Sequence, residues 1–203
     1  MAFSHPHFSM ALMLSLLSAL VVFSYGHGGS LGCNLTLNHD LVSRENFLLL
    51  DQMRRISLSL CLDDRKEFRF PQQAVNGSQV QKTQAISVLY EMLEQTSRVF
   101  LTKESSATWN MTLLDKLLTG LHRQLEDLES CLVQEVGQAE SAAGKDPTLA
   151  VKRYFLGIRL YLKQKKYSDC AWEVVRGEIM SSFSSLTSLQ EGLRKKDGDL
   201  GSP

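Results

Sequence analysis

The sequence predicts an all-α protein, an up-up-down-down bundle of five helices with a long first crossover. Three observations point there. Apolar residues recur at intervals of three and four along most of the chain. Alternating runs that would mark strands are nearly absent. The links are uneven: long, short, long, then a tight turn. Long links let successive helices run parallel and short ones force them antiparallel, so this connectivity differs from that of a plain up-down bundle.

The chain opens on residues 11–23, ALMLSLLSALVVF, an unbroken apolar run followed by Ser24, Gly26, Gly28, Gly29, Ser30 and Gly32. This reads as the core of an export signal peptide with a small-residue cleavage zone, although no Lys or Arg precedes it. Cleavage before Cys33 fits best, and a site near Gly26 is the alternative. Residues 1–32 are then a removed leader and residues 33–203 one helical domain. The run is shorter than the roughly 20 apolar residues that span a bilayer, and no later stretch is longer. The product is expected to be soluble and exported, with no membrane insertion.

The first helix is expected over Leu41–Arg55, with Phe47, Leu48, Leu49 or Leu50, and Met53 available to the core. The second covers Gln81–Phe100, with Ile86, Leu89, Met92 and Leu93 inward. Between them, Ile56–Val80 looks irregular and holds Cys61, Phe68, Phe70, Pro71 and Gly77. A link of roughly 25 residues is unusual in a compact domain unless it crosses the length of a bundle and is tied down. A short link near residues 101–109 leads to the clearest helix, 111–132, where Leu114, Leu117, Leu118, Leu121, Leu125, Leu128 and Leu132 form a stripe. Thr108 or Asn110 can cap it. Small polar residues at 134–146 make a second long crossover. Asp146-Pro147 then reads as N-cap and first helical residue. Val151, Phe155, Ile158 and Leu162 form the next stripe, with Tyr154 and Tyr161 beside it, and Lys163, Lys165 and Lys166 end it. After the link Tyr167-Ser168-Asp169, the last helix carries Val175, Ile179, Phe183 and Leu186. A mobile tail is expected from about residue 190.

Lys and Arg number 22 and so do Asp and Glu, which argues against a nucleic-acid-binding face. The four cysteines, Cys33, Cys61, Cys131 and Cys170, read as two disulfides in an oxidising compartment, and spacing alone allows three pairings. None lies close enough to another for a zinc knuckle. Asn34, Asn76 and Asn110 each head a glycosylation acceptor triplet. No catalytic or nucleotide-binding motif is present. Glu91, Glu94, Glu126, Asp127 and Glu129 read as solvated helix surface, and His122 as a surface histidine. No enzyme activity, metal or cofactor is expected.

Near the end, Cys170-Ala-Trp-Glu-Val-Val-Arg-Gly-Glu-Ile-Met180, preceded by Tyr161-Leu-Lys-Gln-Lys-Lys-Tyr167, closely resembles the type I interferons. Leu62-Asp-Asp-Arg65 with Phe68–Pro71, Val88-Leu-Tyr-Glu-Met92 and Thr112-Leu-Leu-Asp-Lys116 resemble the same family. The likeness runs from Cys33 to Leu189 and is closest in appearance to the omega and trophoblast (tau) branch.

The resemblance implies a secreted, monomeric helical cytokine that joins two receptor chains, one bound tightly and one weakly. Kinases and transcription factors then drive antiviral and antiproliferative responses. It implies the pairings Cys33–Cys131 and Cys61–Cys170. It places Leu62, Arg65, Arg176 and Met180 against the tight chain, and Ser97, Arg98, Thr102, Leu113 and Lys152 against the weak one. Trp109, Tyr154 and Trp172 read as packing residues. Gly177 and Ser181 depart from the family's common Ala and Arg, and either change could weaken the tight face. The rival readings are a helical cytokine with another receptor and a non-signalling helical carrier, which would need an apolar cavity.

Overall fold

The computed structural model describes residues 37–75, 81–136, 146 and 148–199. Among them there is no strand. Five long helices dominate: α1 (Leu37–Gln52), α2 (Lys82–Phe100), α3 (Met111–Val136), α4 (Thr148–Gln164) and α5 (Asp169–Asp199). The leader, Cys33, Asn34, Asn76 and the 137–145 link lie outside the described residues.

Each long helix forms where the spacing of apolar residues predicts it, with shifted ends. α1 begins and ends earlier than expected. Its buried line is Val42, Asn46, Leu49, Leu50 and Met53, which turns Leu48 out to solvent. α3 starts on the Asn110 cap, whose side-chain oxygen accepts from the Thr112 and Leu113 amides at 3.0 and 3.2 Å. Asp146 does the same for α4, accepting from the Thr148 amide and hydroxyl at 2.9 and 2.7 Å. These hydrogen bonds hold the Asp146 carboxyl below its usual range.

Two links contain structure that their polar composition hides. The first crossover holds a 3-10 segment, Leu58–Asp64, kinked at Cys61, and a one-turn helix, Gln72–Val75. The 101–109 link holds a short helix, Lys103–Thr108, capped by the Thr102 hydroxyl. α5 also runs past residue 190, where a tail was expected, to Asp199. Leu189 and Leu193 are buried there, because they continue the spacing of Leu186.

α2 occupies the centre and packs against α3, α4 and α5. At one end of the bundle Trp172 is fully buried among Phe100, Trp109 and Tyr167, with ring centroids 6.0–6.3 Å apart. Trp109, Tyr154 and Trp172 are thus packing residues. α1 meets α3 across a buried polar seam. Asn46 Nδ2 donates to Gln124 Oε1 at 2.7 Å, and Gln124 Nε2 donates to the His39 carbonyl at 3.4 Å. Burial lowers the pKa of His39, opposed by the charges of Asp127 and Asp40.

Gly120 makes this seam close. A Cβ built there would lie 2.1 Å from Asn46 Oδ1. Asn46 is fully buried and held by Gln124, so it has little freedom to retreat. Gly120→Ala is therefore expected to destabilise the protein by about 1–3 kcal/mol through overpacking. At about 2–4 °C per kcal/mol, thermal unfolding would show it. An unchanged melting temperature would mean that Asn46 can swing aside.

Candidate functional site

The crossover residues singled out by the sequence lie against α5. Cys61 and Cys170 form a disulfide with a Cα–Cα distance of 5.3 Å across 109 residues of chain. A link of this span restricts the unfolded chain and typically stabilises a fold by about 2–4 kcal/mol. Ser57 caps the 3-10 segment by accepting from the Ser59 amide. At the other end the Arg65 amide donates to the Leu62 carbonyl at 3.2 Å. Leu62 is 55% exposed and Arg65 is exposed as well.

Further contacts fasten the crossover on both sides of these residues. Tyr161 donates its hydroxyl to the Asp64 carbonyl at 2.6 Å. Burial, with the nearby Asp64 charge, pushes the Tyr161 pKa up to about 12. Lys165 pairs with the Asp64 carboxylate at 2.7 Å. Phe68 and Phe70 pack edge-on against Tyr161 and Tyr154 at 5.2 and 5.4 Å. Between crossover and α5 lies an open cleft of about 400 Å³ lined by Leu58, Arg65, Lys66, Val174, Gly177 and Glu178 among others.

The four residues expected at the tight face separate into two groups. Leu62 and Arg65 present themselves to solvent, and Met180 is half-buried beside the core. Arg176 turns inward and is only 3% exposed. Its Nε donates to Glu173 Oε2 at 2.8 Å, and its Nη1 reaches the Leu50 carbonyl at 3.0 Å and Met180 Sδ at 2.9 Å. Glu173 did not stand out in the sequence, yet it is 1% exposed and takes the Arg55 amide on Oε1 at 2.5 Å. The three-residue step from Glu173 to Arg176, inside the stripe of Trp172, Val175 and Ile179, was the available signal.

The residues expected at the weak face lie on several elements. Arg98 is exposed and pairs with Glu94 at 2.7 Å. Lys152 on α4 approaches Glu91 on α2 at 3.5 Å. Glu91, expected to be solvated, is buried; Gln95 Nε2 donates to its Oε1 at 2.8 Å, and Arg159 donates to Gln95 Oε1 at 2.5 Å. Burial and the nearby Arg98 charge lower the Arg159 pKa. This chain joins α2 to α4 between Lys152 and the neighbourhood of Arg98. Ser97 and Thr102 are half-buried, the latter holding its helix cap, and Leu113 packs at the edge of the core.

Cys131 is disulfide-bonded, and Cys33 lies outside the described residues. Asn110 is exposed, as is His122, which lies 3.3 Å from Glu126. Among the described residues no group of His, Cys, Asp or Glu could hold a metal ion, and no helix is long and apolar enough to cross a membrane.

A helical bundle with a disulfide-tied crossover, and no strand among the described residues, is the architecture expected of a helical cytokine. The interferon alpha/beta domain model matches residues 35–193, and the chain belongs to the type I interferons, in their omega/tau branch. It is 65% identical to interferon omega-2 of Equus caballus, over 96% of this chain and the whole of that protein. It is 61% identical to interferon omega-1 of Homo sapiens, over 95% of this chain and all of that one. Interferon tau of Cervus elaphus is 56% identical over 96% of this chain. Zebrafish interferon 1 shares the fold at a TM-score of 0.65 and 22% identity, covering 77% of this chain and 96% of its own. The family acts as cytokines rather than enzymes.

Gly177 lies where the crossover meets α5. A Cβ there would come 3.1 Å from Leu58 Cδ1, a methyl at the end of a side chain that is 37% exposed. That methyl has solvent to move into. Gly177→Ala should therefore gain about 0.5–1 kcal/mol of helix propensity and raise the melting temperature by a few degrees. A lower melting temperature would show that Leu58 is fixed in place.

Proposed function

We propose that the protein is exported after loss of residues 1–32 and acts as a single domain, 33–203, that brings two receptor chains together. The joined chains start kinase and transcription-factor signalling for antiviral and antiproliferative responses. The chain runs as an up-up-down-down bundle, with the long links before α2 and α4. It acts as a monomer and needs no cofactor. The second disulfide is Cys33–Cys131, and Asn34, Asn76 and Asn110 are the glycan acceptors.

The tight chain binds the crossover and α5, with Leu62, Arg65 and Met180 as its contacts and Arg176 behind them. The weak chain binds the opposite side through Ser97, Arg98, Thr102, Leu113 and Lys152. The observation that carries this reading is the Cys61–Cys170 disulfide, which brings solvent-facing Leu62 and Arg65 beside α5. An apolar residue next to a guanidinium fork is a common composition for an interface anchor. Lys152 belongs to the polar chain between α2 and α4, and Arg98, paired with Glu94, acts electrostatically on Arg159 at the other end of that chain, which supports placing them on one surface.

Arg65→Ala is expected to weaken binding to the tight receptor chain at least about tenfold, or about 1.4 kcal/mol, while leaving the weak chain unaffected. Surface binding with each purified ectodomain measures this, once an unchanged helical spectrum and melting temperature show that the variant is folded. Undiminished affinity would remove Arg65 from the site. Equal losses toward both chains would indicate general disruption.

Peptide mapping of protein secreted by animal cells tests the covalent features. Under non-reducing conditions a Cys33–Cys131 peptide is expected beside Cys61–Cys170, and a dominant Cys33–Cys61 peptide would overturn the pairing. Asn110 is expected to carry glycan, since capping uses its Oδ1 and leaves Nδ2 for the sugar. An unmodified Asn110 would refute that.

A further inference from the structure

We infer that Glu173 is a positioning residue: its carboxylate, neutralised by the buried Arg176, holds the start of the crossover against α5, and neither side chain touches the receptor. The inference rests on the reading of Leu62 and Arg65 as the tight face.

The pair is deep inside the protein, with side chains 3% and 1% exposed. Besides the contact of Arg176 Nη1 with Met180 Sδ on α5, its contacts are divided between two parts of the chain. Glu173 Oε2 accepts from Arg176 Nε at 2.8 Å, while Oε1 accepts from the amides of Arg55 at 2.5 Å and Ile56 at 3.4 Å. Arg176 Nη1 donates to the Leu50 carbonyl at 3.0 Å. Leu50 stands in the last turn of α1, where carbonyls have no partner within the helix. A cation at this end meets both an unpaired acceptor and the negative end of the helix dipole.

The two amides taken by Glu173 follow directly on α1. From Ile56 only Ser57 intervenes before Leu58, which lies on Gly177, and Cys61 is then bonded to Cys170. Leu62 and Arg65 thus project from a segment held upstream by the ion pair, in the middle by the disulfide and downstream by Tyr161 and Lys165 on Asp64. Removing the upstream hold would free the direction in which the crossover leaves α1. A loss of receptor affinity on truncating Arg176 alone would then follow from the unpaired charge left buried on Glu173, without any contact.

Two double variants separate the cases. Glu173→Gln/Arg176→Met removes the guanidinium but keeps a side-chain oxygen for the Arg55 and Ile56 amides. Glu173→Leu/Arg176→Met removes both polar partners. Replacing both members of a buried pair avoids the lone buried charge that makes single deletions so damaging. Binding is measured to each receptor ectodomain, together with amide hydrogen exchange at residues 55 and 56 relative to α2.

The Gln/Met variant is expected to bind the tight chain within about threefold of the parent, and the Leu/Met variant at least about tenfold more weakly. Weak-chain binding should be unchanged in both. Faster exchange at Arg55 and Ile56 should appear only in the Leu/Met variant. A tenfold tight-chain loss in Gln/Met with unchanged exchange would place the guanidinium on the receptor and overturn the inference. Full tight-chain affinity in Leu/Met would overturn it too, where Arg65→Ala measured alongside still shows its loss. An Arg65→Ala variant that binds normally would instead displace the face itself, and the exchange at residues 55 and 56 would then decide the ion pair's hold by itself. Should Leu/Met fail to fold, Gln/Met alone decides between the cases: retained affinity supports the positioning role and lost affinity overturns it.

Discussion

The attachment of the first crossover to α5 is the constraint on which the proposed receptor face depends. Between α1 and α2 the fully buried residues among those described are Cys61 and Val75, apart from Met53 at the end of α1, while Ile56, Phe68 and Phe70 are half-buried against the core. Ordering each residue of such a segment costs about 1–2 kcal/mol in backbone entropy, so partial burial needs further holds beside it. The disulfide, the Glu173 carboxylate, Leu58 on Gly177, and Tyr161 with Lys165 on Asp64 supply those holds. All of these partners lie on α4 or α5, or in the turn that joins them. The start of α5 and the end of α4 therefore form the base on which the crossover is laid.

A buried ion pair at this point is not explained by stability. Two apolar side chains of similar volume often match or exceed such a pair. What they could not do is accept two consecutive amides and donate to the last turn of α1. The pair is well suited to that geometry, because arginine offers several donors in a fixed fork and a carboxylate can serve two directions at once. Its role in joining three segments accounts for a charge that the core would otherwise reject.

Most of the fold was legible, since the stripes of α2, α3, α4 and α5 are long and regular. The exceptions within the long helices share one cause: a polar residue at a buried position. Asn46 takes a core position in α1, and this phase leaves Leu48 exposed among three consecutive leucines. Leu48 was expected in the core and is exposed, while Leu49 and Leu50, between which periodicity did not choose, are both buried. Glu91 and Gln95 fall on the buried side of α2, but their partners Lys152 and Arg159 come from α4, more than fifty residues away. Arg176 stands four residues after Trp172 and three before Ile179, inside the apolar arc of α5. Its charge and the family likeness both suggested an outward position. The short helices within the links were hidden for a different reason, since each is too brief to show a period.

The inward turn of Arg176 changes the character of the proposed tight face. Position 181 is Ser, and Arg176 is sequestered, so neither adds a surface charge. Arg65 and Lys66 remain exposed, beside the exposed apolar side chains of Leu60 and Leu62. Charges at an interface mainly accelerate encounter and select among partners, whereas well-packed apolar anchors slow dissociation. A face of this composition relies on fit and on the single fork of Arg65 more than on long-range attraction. Fit requires the anchors to be held still before binding, because ordering them afterwards would reduce affinity. That requirement connects the buried pair, the disulfide and the Tyr161 hydrogen bond to recognition: they keep Leu62 and Arg65 where a partner can meet both at once.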